Sequence, residues 1–260
     1  VAASDEEIRR ALLADILANP DDDGPRLVLA DWLSERGDPR GELISVQCAA
    51  QHATGGALAR HVNRASALLE RHGETWLGEI RRIVRGVELE RGFVASINAK
   101  AAVFAKCGAL FEQEPIEELR AIKPNARDLA TIAKAPHLAK LRSLVLLDPA
   151  RIETDAHVQA LRALLGSPRL AKLRSLDLRL AVTGAAADAV RHTVAGLGLT
   201  ALEQLKLRVR AADDGARPPV IVGALAAAKL PKLRQLGLRK DSIGTLRSAL
   251  PDVTISALVD

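Results

Sequence analysis

Leu141-Arg142-Ser143-Leu144-Val145-Leu146 recurs as Leu173-Arg174-Ser175-Leu176-Asp177-Leu178, then as Leu202-Glu203-Gln204-Leu205-Lys206-Leu207 and as Leu233-Arg234-Gln235-Leu236-Gly237-Leu238. The second leucine steps by 32, 29 and 31 residues. At such a period each unit is one supersecondary element that cannot bury its apolar face alone, whereas stacked neighbours can. A degenerate copy, Ile116-Glu117-Glu118-Leu119-Arg120-Ala121, stands 25 residues before the first. Between the copies run helical patterns over 152–165, 186–197, 220–228 and 243–250, for example Val158, Leu161, Leu164 and Leu165. Each unit therefore reads as a short strand, a turn and a helix.

Upstream the period changes. Val87-Glu88-Leu89 and Phe93-Val94-Ala95-Ser96-Ile97 flank Glu90-Arg91-Gly92, which predicts a hairpin. Earlier still the chain reads as helices. Ser4 and Glu7 form a capping box before Ile8, Leu12, Leu13, Ile16 and Leu17. Asn19-Pro20 ends that helix and Pro25 starts the next, which Gly37 stops. Asp38-Pro39 opens a third, with Leu43, Val46 and Ile44 facing inward, and the spacing predicts a fourth over 57–71 and a fifth over 75–85. Residues 1–86 hold 11 Arg, no Lys and 14 Asp or Glu, a net of −3, and residues 87–260 carry +8. Period and charge together divide the chain into a helical part, 1–86, and a repeat part, 87–260, that includes the hairpin.

The Leu-x-x-Leu-x-Leu copies resemble leucine-rich repeats of the ribonuclease-inhibitor-like class over roughly residues 93–258. The family places Asn or Cys three positions after the last leucine, where this chain has Pro149, Ala181, Arg210 and Asp241. The front resembles the short bacterial repeat-companion domain found beside such repeats. Asn19-Pro20-Asp21-Asp22-Asp23, Arg26-Leu27-Val28-Leu29-Ala30-Asp31-Trp32-Leu33 and Gly37-Asp38-Pro39-Arg40-Gly41-Glu42 carry that likeness. The expected fold is α/β: a short leucine-rich-repeat solenoid with an N-terminal helical domain capping its first repeat. The companion resemblance implies co-occurrence with repeats and no reaction.

Composition narrows the function. The chain has 260 residues, 48% hydrophobic and 27% charged, so it is not of disordered type. No run approaches 18 apolar residues, and the acidic start Val1-Ala2-Ala3-Ser4-Asp5-Glu6-Glu7 does not read as a secretory signal. Cys48 and Cys107 are too few for a disulfide scaffold and are expected reduced and buried, in a cytoplasmic protein. Asp21-Asp22-Asp23-Gly24 lacks the alternate spacing of a calcium loop and reads as a solvated turn. Asp31, inside an apolar stretch, is expected to pair with Arg36 or Arg40. The six histidines make no His-x-x-x-His or His-Glu-x-x-His pair, and neither a phosphate loop nor a Gly-x-Ser-x-Gly elbow is present. The expectation is no enzyme, no cofactor and no metal.

What remains is a surface. Side chains alternate along a strand, so with the leucines inward three columns face outward: Glu118, Ser143, Ser175, Gln204 and Gln235; Arg120, Val145, Asp177, Lys206 and Gly237; and Ile122, Leu147, Arg179, Arg208 and Arg239. The partner-binding residues expected from these columns and the hairpin are Lys100, Arg120, Val145, Leu147, Asp177, Arg179, Lys206, Arg208 and Arg239. The expected role is a non-catalytic scaffold that binds a protein with an acidic patch on the concave sheet. Nucleic-acid or other polyanion binding through the basic column is the alternative. The near absence of aromatic residues (two Trp, three Phe, no Tyr) weighs against single-strand stacking.

Overall fold

The computed structural model describes residues 4–213, 221–238 and 250–258. The protein is mixed α/β, and the strands among these residues form one nine-stranded sheet. The chain divides into two compact units, Val1–Ile97 with Ala109–Ile116, and Asn98–Gly108 with Glu117–Asp260. The change of hydrophobic period falls at residue 86/87. The boundary between the units falls later, so most of the hairpin belongs to the first.

The first unit holds α1 (Asp5–Ala18), α2 (Gly24–Glu35), α3 (Pro39–Gln51), α4 (Gly55–Ile83), the hairpin strand β1 (Gly86–Glu90) and all but the last two residues of β2 (Phe93–Ala99). The Ser4–Glu7 capping box is present: the Ser4 N–H donates to Glu7 Oε2 at 2.7 Å and Glu7 N–H to Ser4 Oγ at 3.3 Å. Asp38 caps α3 by accepting from the Arg40 N–H at 2.9 Å. Leu43 and Ile44 are fully buried. The two helices expected over 57–71 and 75–85 are one continuous helix, α4. Gly73 lies on its buried stripe with Ala65, Leu68, Leu77 and Ile80. A mid-helix glycine costs about 1 kcal/mol against alanine, less than burial of the leucines and isoleucine on that stripe returns at about 1.5–3 kcal/mol each.

The hairpin turns on Arg91 (φ 49°) and Gly92 (φ 80°). Two positive φ values define a type I′ loop, whose twist matches that of the strands. Gly92 is required twice over, because a Cβ there would lie 2.1 Å from Ile44 Cγ1. Asp31 departs from expectation. It is exposed, since α2 buries Leu29, Ala30 and Leu33 on its inner face. Arg36 pairs instead with Asp5 (2.8 Å) and Arg40 with Glu114 (2.9 Å). In the Asp21–Asp23 turn, Asp22 accepts from the Gly24 N–H, and Asp23 pairs with Arg91 at 3.0 Å.

The second unit contains α5 (Ala101–Phe104), β3 (Glu118–Ala121), α6 (Ala126–Lys134), β4 (Ser143–Leu146), β5 (Ala150–Ile152), α7 (Asp155–Leu165), β6 (Ser175–Val182), α8 (Ala187–Ala195), β7 (Gln204–Ala211), β8 (Gln235–Leu238) and β9 (Thr254–Ala257). Strands β3, β4, β6, β7, β8 and β9 pair in that order, all parallel, and β5 pairs separately with β6. Leu119, Leu144, Leu176, Leu205 and Leu236 are in register across five of these strands, each fully buried. The helical pattern at 152–165 is α7 and that at 186–197 is α8. The alanine-rich stretch at 220–228 forms a 3-10 turn, Val222–Ala227, rather than an α-helix. The helix expected over 243–250 lies outside the described residues except for Leu250. Helix α6 and strands β5 and β9 are additions to what the repeat pattern predicts. Pro136–Lys140 and Pro168–Lys172 are matching 3-10 turns that lead into β4 and β6.

Cys48 and Cys107 are free and buried. Burial pushes both thiols up to about 11, which keeps them protonated and unreactive. Among the described residues no helix is long and apolar enough to cross a membrane.

His137 is buried edge-on to Phe104, with ring centroids 4.4 Å apart, and its Nε2 faces the Phe104 carbonyl. Burial holds its pKa below the usual value of 6.5. The unfolded chain therefore takes up this proton first as pH falls. The stability that His137 contributes is present in full above about pH 6.5 and is lost as pH falls through the lower folded value. In urea titrations from pH 7.5 to 5, wild type should lose more stability than His137→Leu, with a difference that grows below pH 6.5. Parallel pH profiles would exclude this role.

Candidate functional site

The outward face of the parallel sheet in the second unit brings together most of the residues singled out from the sequence. Its geometry follows from the leucine register. With Leu144, Leu176 and Leu205 aligned and buried, residues one position to either side must point the other way. The observed pairs are Ser143↔Ser175, Ser175↔Gln204 and Gln204↔Gln235 in the first column. The second column runs Arg120↔Val145, Val145↔Asp177, Asp177↔Lys206 and Lys206↔Gly237. Arg179↔Arg208 belongs to the third.

The first column is joined by side-chain hydrogen bonds. Ser175 Oγ donates to Gln204 Oε1 at 3.1 Å, and Gln204 Nε2 donates to Gln235 Oε1 at 2.7 Å. These groups bridge three strands and fix one another's rotamers.

Asp177 is the centre of the face. It points outward yet is only 8% exposed. Arg208 reaches across from β7, and its Nη1 donates to both Asp177 oxygens at 2.7 and 2.8 Å. Arg179 lies on the same strand as Asp177, with Nε 4.0 Å from Oδ1. Its Nη1 donates to the Leu147 carbonyl at 2.8 Å, while Nε is buried without a hydrogen-bond partner. Adjacent guanidinium groups directly opposite each other would repel. One carboxylate between them removes most of that cost.

This alters the expected basic column. In place of exposed charges, the Arg179 and Arg208 side chains are 34% and 21% exposed and turned onto Asp177. Arg239, the third member, lies outside the described residues. Arg120 pairs along its own strand with Glu118. Val145 and Leu147 are half-buried beside these charges and form a small apolar step. Lys206 is half-buried opposite Asp177. Lys100 is exposed but follows β2 and precedes α5, so it belongs to no column.

The column pattern does not reveal a second row of charge. Glu117, Arg142, Arg174, Glu203 and Arg234 each stand one residue before the start of a strand. The Glu117 carbonyl accepts from the Arg142 and Ser143 N–H groups, and the same paired acceptance recurs at Arg142, Arg174 and Glu203. Arg142 Nε also pairs with Glu117 Oε1 at 2.9 Å. The signal for this row is present in the sequence, since these residues occupy the second position of every copy. Among the described residues no group of three or more His, Cys, Asp or Glu is placed to hold a metal ion.

No protein-family model, curated protein or solved structure matches this chain.

Replacing Asp177 with Asn removes the charge that holds Arg208 and Arg179 and keeps the shape. Because both arginines retain some solvent, the loss should be about 1–3 kcal/mol, below that of breaking a fully buried pair. Urea unfolding measures it. A midpoint equal to wild type would show that the carboxylate contributes nothing to the face.

Proposed function

We propose that the second unit is a short leucine-rich-repeat solenoid acting as a non-catalytic protein-binding module, with its partner taken on the outward, concave face of the sheet. The observation that carries this reading is the register. Every copy of the hexamer contributes its between-leucine residues to the same columns. Repeat proteins use such surfaces for recognition, because each repeat adds one more set of side chains to a continuous face. Here the face offers a hydrogen-bonding strip (Ser175, Gln204, Gln235), a half-buried apolar step (Val145, Leu147) and a charged cluster (Asp177, Arg208, Arg179, Lys206).

The partner favoured by this chemistry is a protein whose own carboxylates meet Lys206 and the outer edges of the two arginines, and whose apolar side chain rests on Val145. Carboxylate suits guanidinium in geometry as well as in charge. A nucleic acid is less suited. Its affinity comes chiefly from cations that neutralise phosphates, and here Asp177 already engages two of the basic side chains.

Two substitutions on this face test the reading without placing a new charge beside Asp177: Lys206→Gln and Val145→Ser, made together. Both side chains are half-buried on the outward side, so the fold should hold, with circular dichroism as control. The immobilised wild type is used to capture partners from the native lysate, and the purified partner is then titrated against both proteins. The double variant should bind at least tenfold more weakly. A folded variant with undiminished affinity would remove the sheet face as the binding surface. Retention of generic nucleic acid with a steep salt dependence, in place of any protein, would overturn the protein-partner reading.

A further inference from the structure

The first unit contains a pocket of about 830 Å³, lined by residues of that unit alone. Leu13 and Leu17 of α1, Leu29 of α2, Phe93 of β2, and Trp76 and Ile80 of α4 give it an apolar lining. Leu29, Ile80 and Phe93 are buried, whereas Leu13, Leu17 and Trp76 are only half-buried and keep apolar surface open to the cavity. The volume falls in the range of small-molecule sites, which are apolar with a few placed polar groups.

The polar groups are unevenly charged. Five carboxylates line the pocket against three guanidinium groups, so the lining as a whole is net negative. The most buried charges cancel: Arg40 Nη2 donates to Glu114 Oε1 at 2.9 Å, and Glu114 Oε2 accepts from the Val94 N–H at 2.8 Å. Arg40 also donates through Nε to the Gly92 carbonyl and lies over the Phe93 ring at 5.1 Å. Its cation is therefore engaged by the fold. Arg10 is matched at the exposed rim by Glu6 at 3.7 Å. Glu79 is exposed one helical turn from Trp76, at the i+3 position of α4.

We propose that this pocket binds an amphipathic organic cation: an aliphatic body seated among Leu13, Leu17, Leu29 and Ile80, and an ammonium head held at the rim by Glu79 and the Trp76 ring. Charge complementarity selects the cation over an anion of the same shape. The indole face adds attraction for a desolvated ammonium. Nothing in the proposed role of the sheet face is needed for this site.

The probes are octyltrimethylammonium and octanoate, which share an alkyl chain and differ in the sign of the head. Trp32→Phe leaves Trp76 as the single tryptophan, so its emission reports on the pocket. Octyltrimethylammonium should give a saturable change with one site per chain, and octanoate should bind at least tenfold more weakly. Glu79→Gln should weaken the cation severalfold and narrow that preference. Ala14→Phe, at an exposed position that lines the pocket, should abolish the response while circular dichroism stays unchanged. Equal affinity for the two probes would overturn charge selection. A response that never saturates, or that survives Ala14→Phe, would overturn the site itself.

Discussion

Parallel pairing in register is the constraint on which the second unit depends. Side chains alternate with a period of two, so slipping one strand by one residue would move its leucines out of the core and its polar residues in. With Leu144, Leu176, Leu205 and Leu236 each fully buried, such a slip would forfeit about 1.5–3 kcal/mol of burial per leucine and bury a Ser, Gln or Arg in exchange. The two longest strands, β6 and β7, hold the register over eight residues, from Ser175↔Gln204 to Val182↔Ala211. The core thereby dictates the chemistry of the opposite face: whatever stands between the leucines must stand in a column.

Column formation has an electrostatic cost that the chain answers locally. Arg179 and Arg208 are direct neighbours because their strands are in register. Asp177 lies two residues before Arg179 on the same side of the strand, within reach of both guanidinium groups. It is buried because those two groups cover it. A carboxylate at 8% exposure is tolerable only with charged partners, and Arg208 supplies a charge-assisted contact to each oxygen. The same interaction that makes the face stable draws charge away from any incoming anion. Net charge of the repeat part, +8 by composition, therefore overstates what this face presents.

Legibility follows periodicity. The hexamer repeat places every outward column that the described strands show, because a leucine register is written in the sequence itself. The capping box at Ser4 and the hairpin turn at Arg91-Gly92 are equally readable, since each rests on local chemistry. Four kinds of feature are not. The spacing predicts two helices where α4 is one, because the buried stripe on either side of Gly73 outweighs the cost of one glycine. Asp31 reads as buried from its apolar neighbours, yet helix phase turns it outward while Leu29, Ala30 and Leu33 go in. Pairing choices are also hidden: Arg36 and Arg40 find Asp5 and Glu114, the second of them 74 residues away in sequence. The pocket of the first unit leaves no sequence signal, because it arises where several helices and a strand leave apolar residues partly uncovered.

The few aromatic residues limit the anchors that each unit could offer to a ligand. Phe93, Phe104 and Phe111 are buried core, and no described column of the sheet face contains an aromatic side chain. Binding energy at protein interfaces is usually concentrated in Trp, Tyr and Arg anchors seated in dry pockets. On the sheet only arginine is available for that role, and the guanidinium groups of Arg179 and Arg208 are already engaged by Asp177 and that of Arg120 by Glu118. A partner bound there, as proposed, would gain from many modest polar contacts and from the apolar step at Val145 and Leu147, which favours an extended surface over a small ligand. The half-buried Trp76, by contrast, sits on a cavity lined by leucine and isoleucine. That is the arrangement by which a compact apolar molecule can lose most of its water at once. On the two proposals, the same chain would separate two kinds of recognition by where its scarce aromatic surface is left open.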